Sequence, residues 1–234
     1  MLAAAIIFLA SALQRAFGFA FVLVAMPLLS LFIEIRTVAP LIALFLPLVT
    51  GILAFRMRVS FDLRKVLPLV AGAAAGIPLG IFFLVTYSDR LIKGVLGAVI
   101  VAYSAWSLLA GSLPWQAPSW TSYGFGFLAG SMGGAFNTSG PPAVFYVSSQ
   151  RWAKAETVAS LNFFIFATSV LVLFFHLASG NVTAAIALTF MKLLPPMAAG
   201  MAAGSYIFGR LDEGKYRKGL FALLFVMGLI LVAR

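Results

Sequence analysis

An all-α integral membrane protein of two inverted repeats, each of about five apolar segments, is the fold class this sequence predicts. Three observations predict it. Apolar residues make up 63% of the 234 and charged residues 9%, with a mean hydropathy of +1.09, whereas a soluble domain is about a quarter charged. The apolar runs recur at close to the length needed to cross a bilayer, roughly 20 residues each. Two of them are interrupted at corresponding places, one in each half of the chain.

In order, residues 2–13 form a short apolar piece ending at Gln14 and Arg15, and 19–33 a second containing Pro27. Neither crosses a bilayer comfortably alone, so the pair is expected to be broken or re-entrant. Residues 37–55 form a full span, followed by a basic loop with Arg56, Arg58, Arg64 and Lys65. Span 66–86 places Gly72, Gly76 and Gly80 four residues apart, the spacing at which small residues let helices approach closely. Span 91–109 leads to a connector, 111–120, whose Trp115 and Trp120 suit a membrane interface. The second half repeats the order: short pieces 122–136 and 141–148, a full span 155–177, a long apolar region 181–211 with Pro195 and Pro196, and a last span 216–232. Within the long region, 181–191 reads as an interfacial helix that holds Lys192 near the far surface, as an interfacial anchor or as a cation that attracts substrate. These divisions give a first repeat over 1–110, a connector over 111–121 and a second repeat over 122–234.

Matching residues accompany the matching order. TVAPL at 37–41 pairs with TVASL at 157–161, KVLP at 65–68 with KLLP at 192–195, and GIPLG at 76–80 with GMAAG at 200–204, at offsets of 120, 127 and 124. Five segments is an odd number, so consecutive repeats run in opposite directions. The basic residues agree. With the 56–65 loop cytoplasmic, that side carries ten Lys and Arg, and the other side carries four: Arg36, Arg90, Lys93 and Arg234. The positive-inside rule then places both termini outside. Inverted repeats with interrupted helices are a transporter arrangement, with substrate held near mid-membrane between the repeats.

The longest interruption is GSMGGAFNTSGPPAVFY, 130–146. Its glycines and Pro141-Pro142 disfavour one continuous helix. Two half-helices meeting at a polar break would bring a helix N-terminus, with free N–H groups and partial positive charge, to face an anion. The glycines also suit tight helix packing, which by itself does not call for the Asn-Thr-Ser triplet. Candidate substrate-binding residues are Asn137, Thr138, Ser139 and Gly140 at this break. Gln14, Arg15 and Gly18 are the candidates at the first break, and Asn162 lies two turns into a span. Arg15 stands apart from the basic loops, and a cation inside a membrane domain implies a partner, unless it snorkels to the surface. Asn162 either faces the substrate or bonds a neighbouring helix. His176, at the end of a span, reads as an interfacial histidine rather than a proton relay.

At the two breaks the sequence resembles the TauE/SafE family, exporters of sulfite, sulfonates and related small anions. LQRAFGFAFVLVAMPLLSL (13–31) is similar to the family's glycine-aromatic turn followed by an apolar run to a proline. GFLAGSMGGAFNTSGPPAVFYV (126–147) is similar to its glycine turn and Gly-Pro-Pro helix start. Ala16, Ala20 and Arg15 depart from that pattern. The resemblance implies a bacterial inner-membrane transporter with a sulfur oxyanion or organosulfonate as substrate.

The expected function is export of a small anion by alternating access. A channel for small anions or neutral solutes, and a membrane scaffold without transport, remain open alternatives. The expected partners are a small anionic substrate and the lipid bilayer, together with a homo-oligomeric copy, and no nucleic acid, because the basic residues lie in short loops rather than on one soluble face. Without cysteine there is no thiolate chemistry. One histidine and six carboxylates, all at or near loop ends, form no metal site or acid/base pair. No cofactor and no enzymatic activity are expected.

Overall fold

The computed structural model describes residues 1–17, 20–56, 62–109, 116–207 and 213–233. Among them there are ten helices and no strand: α1 (Leu2–Phe17), α2 (Ala20–Ser30), α3 (Ile35–Arg56), α4 (Leu63–Thr86), α5 (Asp89–Leu109), α6 (Thr121–Phe136), α7 (Gly140–Ser149), α8 (Lys154–Ala178), α9 (Ala184–Ile207) and α10 (Glu213–Ala233). Five of them are long and apolar enough to span a bilayer, in α3, α4, α5, α8 and α9. Large apolar side chains such as Leu79, Phe82, Phe174, Leu188 and Met191 face outward. In water they would be a liability; in lipid they are the expected surface. At 1.5 Å per residue, α1 and α2 measure roughly 24 and 16 Å, short of a hydrocarbon core of about 30 Å.

The chain forms two compact units whose boundary falls inside α3. One comprises Met1–Ile42, Tyr87–Ala110 and Thr183–Arg234; the other comprises Ala43–Thr86 and Gly111–Val182. Each therefore combines helices from both halves of the sequence.

In the second unit α4 lies along α6, and glycines set the contact. A Cβ on Gly72, Gly76 or Gly80 would collide with the carbonyl oxygen of Tyr123, Phe127 or Ser131. From the other side, a Cβ on Gly126, Gly130 or Gly134 would collide with the carbonyl of Leu69, Ala73 or Ile77. The residue numbers rise together, so the two helices are parallel and their backbones touch over three turns. By sequence, Gly130, Gly133 and Gly134 belong to the expected break. Instead α6 continues unbroken to Phe136, and Gly130 and Gly134 serve the α4 contact. A helix tolerates glycine when the missing side chain is replaced by a neighbouring backbone. Lys65 and Glu156, 2.6 Å apart, tie the starts of α4 and α8. Ile77 and Ile81 meet Val172 and Ala43 further along.

The first unit uses the same device. A Cβ on Gly200 or Gly204 of α9 would strike the carbonyl of Phe8 or Ala12 on α1, again a parallel pair. α5 and α10 cross at two glycines: a Cβ on Gly97 would lie 2.6 Å from the Gly228 oxygen, and one on Gly228 would lie 2.8 Å from the Gly97 oxygen. Val101 borders Gly228, Val232 borders Gly97, and the Tyr103 and Phe221 rings meet edge to face at 5.7 Å. These pairings run in opposite order, so α5 and α10 are antiparallel. α9 does not contain the separate interfacial helix expected over 181–191. It runs from Ala184 to Ile207 through Pro195 and Pro196, with Lys192 on its exposed side.

Candidate functional site

The interruption between α6 and α7 is three residues long, Asn137 to Ser139. Asn137 ends α6 in the left-handed region at φ 56°, a conformation asparagine adopts more readily than most residues. Its backbone N–H donates to the Gly133 carbonyl at 2.7 Å. The Thr138 hydroxyl donates to the Phe136 carbonyl at 3.0 Å, and both residues are buried. Ser139 occupies the N-cap position of α7 but makes no side-chain cap bond. Its Oγ lies 3.0 Å from Oγ1 of Thr168 on α8.

The donors at this break are few. The first turn of a helix ordinarily offers three or four free N–H groups, but Pro141 and Pro142 occupy two of those positions on α7 and have no N–H. Gly140 keeps its own, and a Cβ placed on that residue would meet nothing within 4 Å, so there is room beside it. The break therefore presents a helix dipole, one first-turn glycine amide and hydroxyls rather than a fan of backbone amides. The Thr168 hydroxyl donates its single proton to the carbonyls of Phe164 and Ile165, at 2.9 and 3.1 Å. With the Thr168 proton on either carbonyl, the proton between the two hydroxyls is supplied by Ser139 and Thr168 accepts it; either hydroxyl can be the donor at this distance. Binding an anion through Ser139 would draw that proton away from Thr168.

Asn137, Thr138, Ser139 and Gly140 are thus contiguous, and Thr168 joins them. Sequence reasoning missed Thr168 because a threonine in an apolar span carries no local signal. Asn162, on the same helix, donates from Nδ2 to the Val158 carbonyl one turn back, at 2.8 Å. At the first break Gln14 is buried, and its Oε1 accepts the Phe21 N–H at 2.8 Å. A side chain of α1 thereby fills a first-turn donor of α2. Arg15 lies on α1, but its side chain is outside the described residues, as is all of Gly18. Replacing Gln14 by Leu removes the acceptor and should cost about 1 kcal/mol or more. Thermal unfolding of Gln14→Leu beside the parent measures that cost.

Apolar helices on this scale, several long enough to cross a bilayer and one pair joined through a polar break, define a multi-pass membrane protein. Residues 3–231 match the family described as Sulfite exporter TauE/SafE, and the chain belongs to that family. No curated protein and no solved structure matches the chain. The family is one of transporters, and three-residue clusters of metal-ligating side chains are absent among the described residues.

Proposed function

We propose that the protein exports a small oxyanion, sulfite or an organosulfonate, across the bacterial inner membrane by alternating access. The anion is held at the break between α6 and α7, near mid-membrane, by the Gly140 amide, the Ser139 hydroxyl and the positive end of α7. The observation that carries this reading is the buried break itself: a helix N-terminus with room beside Gly140 and a hydroxyl whose proton can be redirected.

Three packing relations support inverted repeats. Exchanging α1–α5 for α6–α10 converts the α4–α6 pair into the α9–α1 pair, and both are parallel and set by glycines four residues apart. The same exchange maps α5 onto α10, which are antiparallel and touch at Gly97 and Gly228. A two-fold axis in the membrane plane requires that antiparallel contact, whereas repeats running in one direction would make it parallel. The distribution of Lys and Arg supports a cytoplasmic 56–65 loop and outside termini.

Flux measurements in proteoliposomes test the reading. Saturable uptake of sulfite or a sulfonate, accelerated by the same anion trapped on the opposite side, is the expected result. Unsaturable flux without that exchange would make the protein a channel instead. Absence of anion flux in protein shown to be folded would overturn transport altogether.

A further inference from the structure

The one histidine in the chain is not at the surface, where the end of a span would put it. His176 is fully buried in the last turn of α8. The helix is closed behind it by a glycine cap. Ser179 N–H donates to the Phe175 carbonyl at 2.9 Å, Gly180 N–H to Leu177 at 3.1 Å and Asn181 N–H to His176 at 3.0 Å, with Gly180 at φ 68°. The cap brings the Asn181 side chain over the ring, with Nδ2 3.2 Å from Nδ1. The other ring nitrogen, Nε2, is buried with no hydrogen-bond partner.

A neutral imidazole has one donor nitrogen and one acceptor nitrogen. With the amide nitrogen against Nδ1, the ring proton sits on Nε2 and has nowhere to go. With the amide turned, Nδ1–H donates to Oδ1 and Nε2 keeps a bare lone pair. In either arrangement one polar atom is stranded in the interior while the ring is held in place from the loop.

Charge around the ring narrows what that atom is for. Among the described residues, α6 and α7 carry no charged side chain, and their tyrosines, Tyr123 and Tyr146, lie toward the start of α6, where Tyr146 meets Phe125. α4 contributes Arg64 and Lys65 at the opposite end of α8, where Lys65 holds Glu156. α3 ends at Arg56 on that same side, since Phe55 packs on Phe166, and its Arg36 guanidinium donates to the Tyr87 carbonyl at 2.7 Å. No carboxylate from these elements faces His176. A helix C-terminus favours a cation over an anion, so a proton suits this end of α8 better than a second anion does. Histidine is the side chain whose unperturbed charge change falls nearest neutral pH, and His176 is the chain's one histidine.

The geometry points to His176 as a proton-binding site linked to the α6–α7 break. Thr168, Val172 and His176 are four residues apart and share one face of α8. Thr168 meets Ser139, and Val172 lies 3.5 Å from where a Cβ on Gly133 would sit, so that face borders the break. The ring lies roughly 12 Å along the helix from Thr168. The proton comes from water when the capping turn opens. It adds to the ring nitrogen that bears a lone pair, and it returns to water when the turn closes to the state seen here. Where that nitrogen is Nδ1, the Asn181 amide turns to present its oxygen. No other bond is made or broken.

The consequence for flux rests on the transport reading, and the test separates the two. Protein labelled with ¹⁵N-histidine gives signals from this one ring. Saturating sulfite should move its protonation midpoint by about one pH unit or more, a tenfold linkage. In proteoliposomes at fixed membrane potential, a pH gradient of about one unit should change initial sulfite flux roughly fivefold or more, the low end of ordinary coupling. The ratio of flux with and without the gradient should fall to near one in His176→Gln. A midpoint indifferent to sulfite, a ring that never protonates, or equal gradient ratios in the two proteins overturns the proposal while leaving transport standing. If the parent moves no anion at any pH, transport falls, and the labelled ring alone decides: a sulfite-dependent midpoint upholds the proton site and a fixed one overturns it. That measurement needs no variant, so misfolding of His176→Gln does not remove it.

Discussion

Gly76→Val is expected to cost about 3 kcal/mol or more and to leave little folded protein, the upper end of what overpacking does. The effect follows from what the new atoms meet. A Cβ at residue 76 would overlap the Phe127 carbonyl and press on the Ser131 N–H, both backbone groups of α6. A flexible side chain could swing aside, but a helix backbone moves only as a whole. Gly72 and Gly80 on α4, and Gly126 and Gly130 on α6, hold the same spacing above and below. One β-branched side chain therefore pushes the helices apart over three turns and strips contact from all of these positions. Gly124→Ala is the control. Its Cβ meets nothing within 4 Å, and alanine is the better helix former by about 1 kcal/mol, so that variant should be neutral or more stable. Unfolding curves of the detergent-solubilised proteins decide it. If Gly76→Val and Gly124→Ala unfold alike, the close α4–α6 contact is wrong.

The glycines of α4 could be read as packing residues from their four-residue spacing alone, and the structure puts each against α6. Gly126, Gly130 and Gly134 have the same spacing, yet their neighbourhood of Asn, Ser and paired prolines reads as a break. Distinguishing the two roles needs the partner helix, which the local sequence does not name. The ten segments were legible because apolar length and loop charge are local properties. The mixing of the two halves in each unit, α4 with α6 and α1 with α9, was not, since helix partners are chosen by surfaces far apart in the chain. His176 shows the same limit. Its position at the end of a span suggests an interface, but Gly180 turns the chain so that Asn181 covers the ring. Thr168 is 29 residues from Ser139, and only the folding of α7 against α8 makes them a pair.

The second large effect is expected at that pair, and its two halves should have opposite signs. Ser139→Ala removes the hydroxyl proposed to reach the anion. A hydrogen bond to a charged group contributes about 1.5–3 kcal/mol, so apparent affinity for sulfite should fall roughly 10- to 100-fold. Thr168→Val removes the acceptor that now takes the Ser139 proton. That hydroxyl is then free to point at the anion, and affinity should hold or rise, while the tie between α7 and α8 weakens by about 1 kcal/mol. Ser139→Thr keeps a hydroxyl and should retain most of the binding. Concentration dependence of sulfite uptake, read beside thermal unfolding, separates these effects. Equal losses of affinity in Ser139→Ala and Thr168→Val, tracking their losses of stability, would reduce the pair to a strut between two helices and move the anion site elsewhere. Divergent affinities would put the Ser139 proton on the substrate, because nothing else in the break distinguishes the two changes.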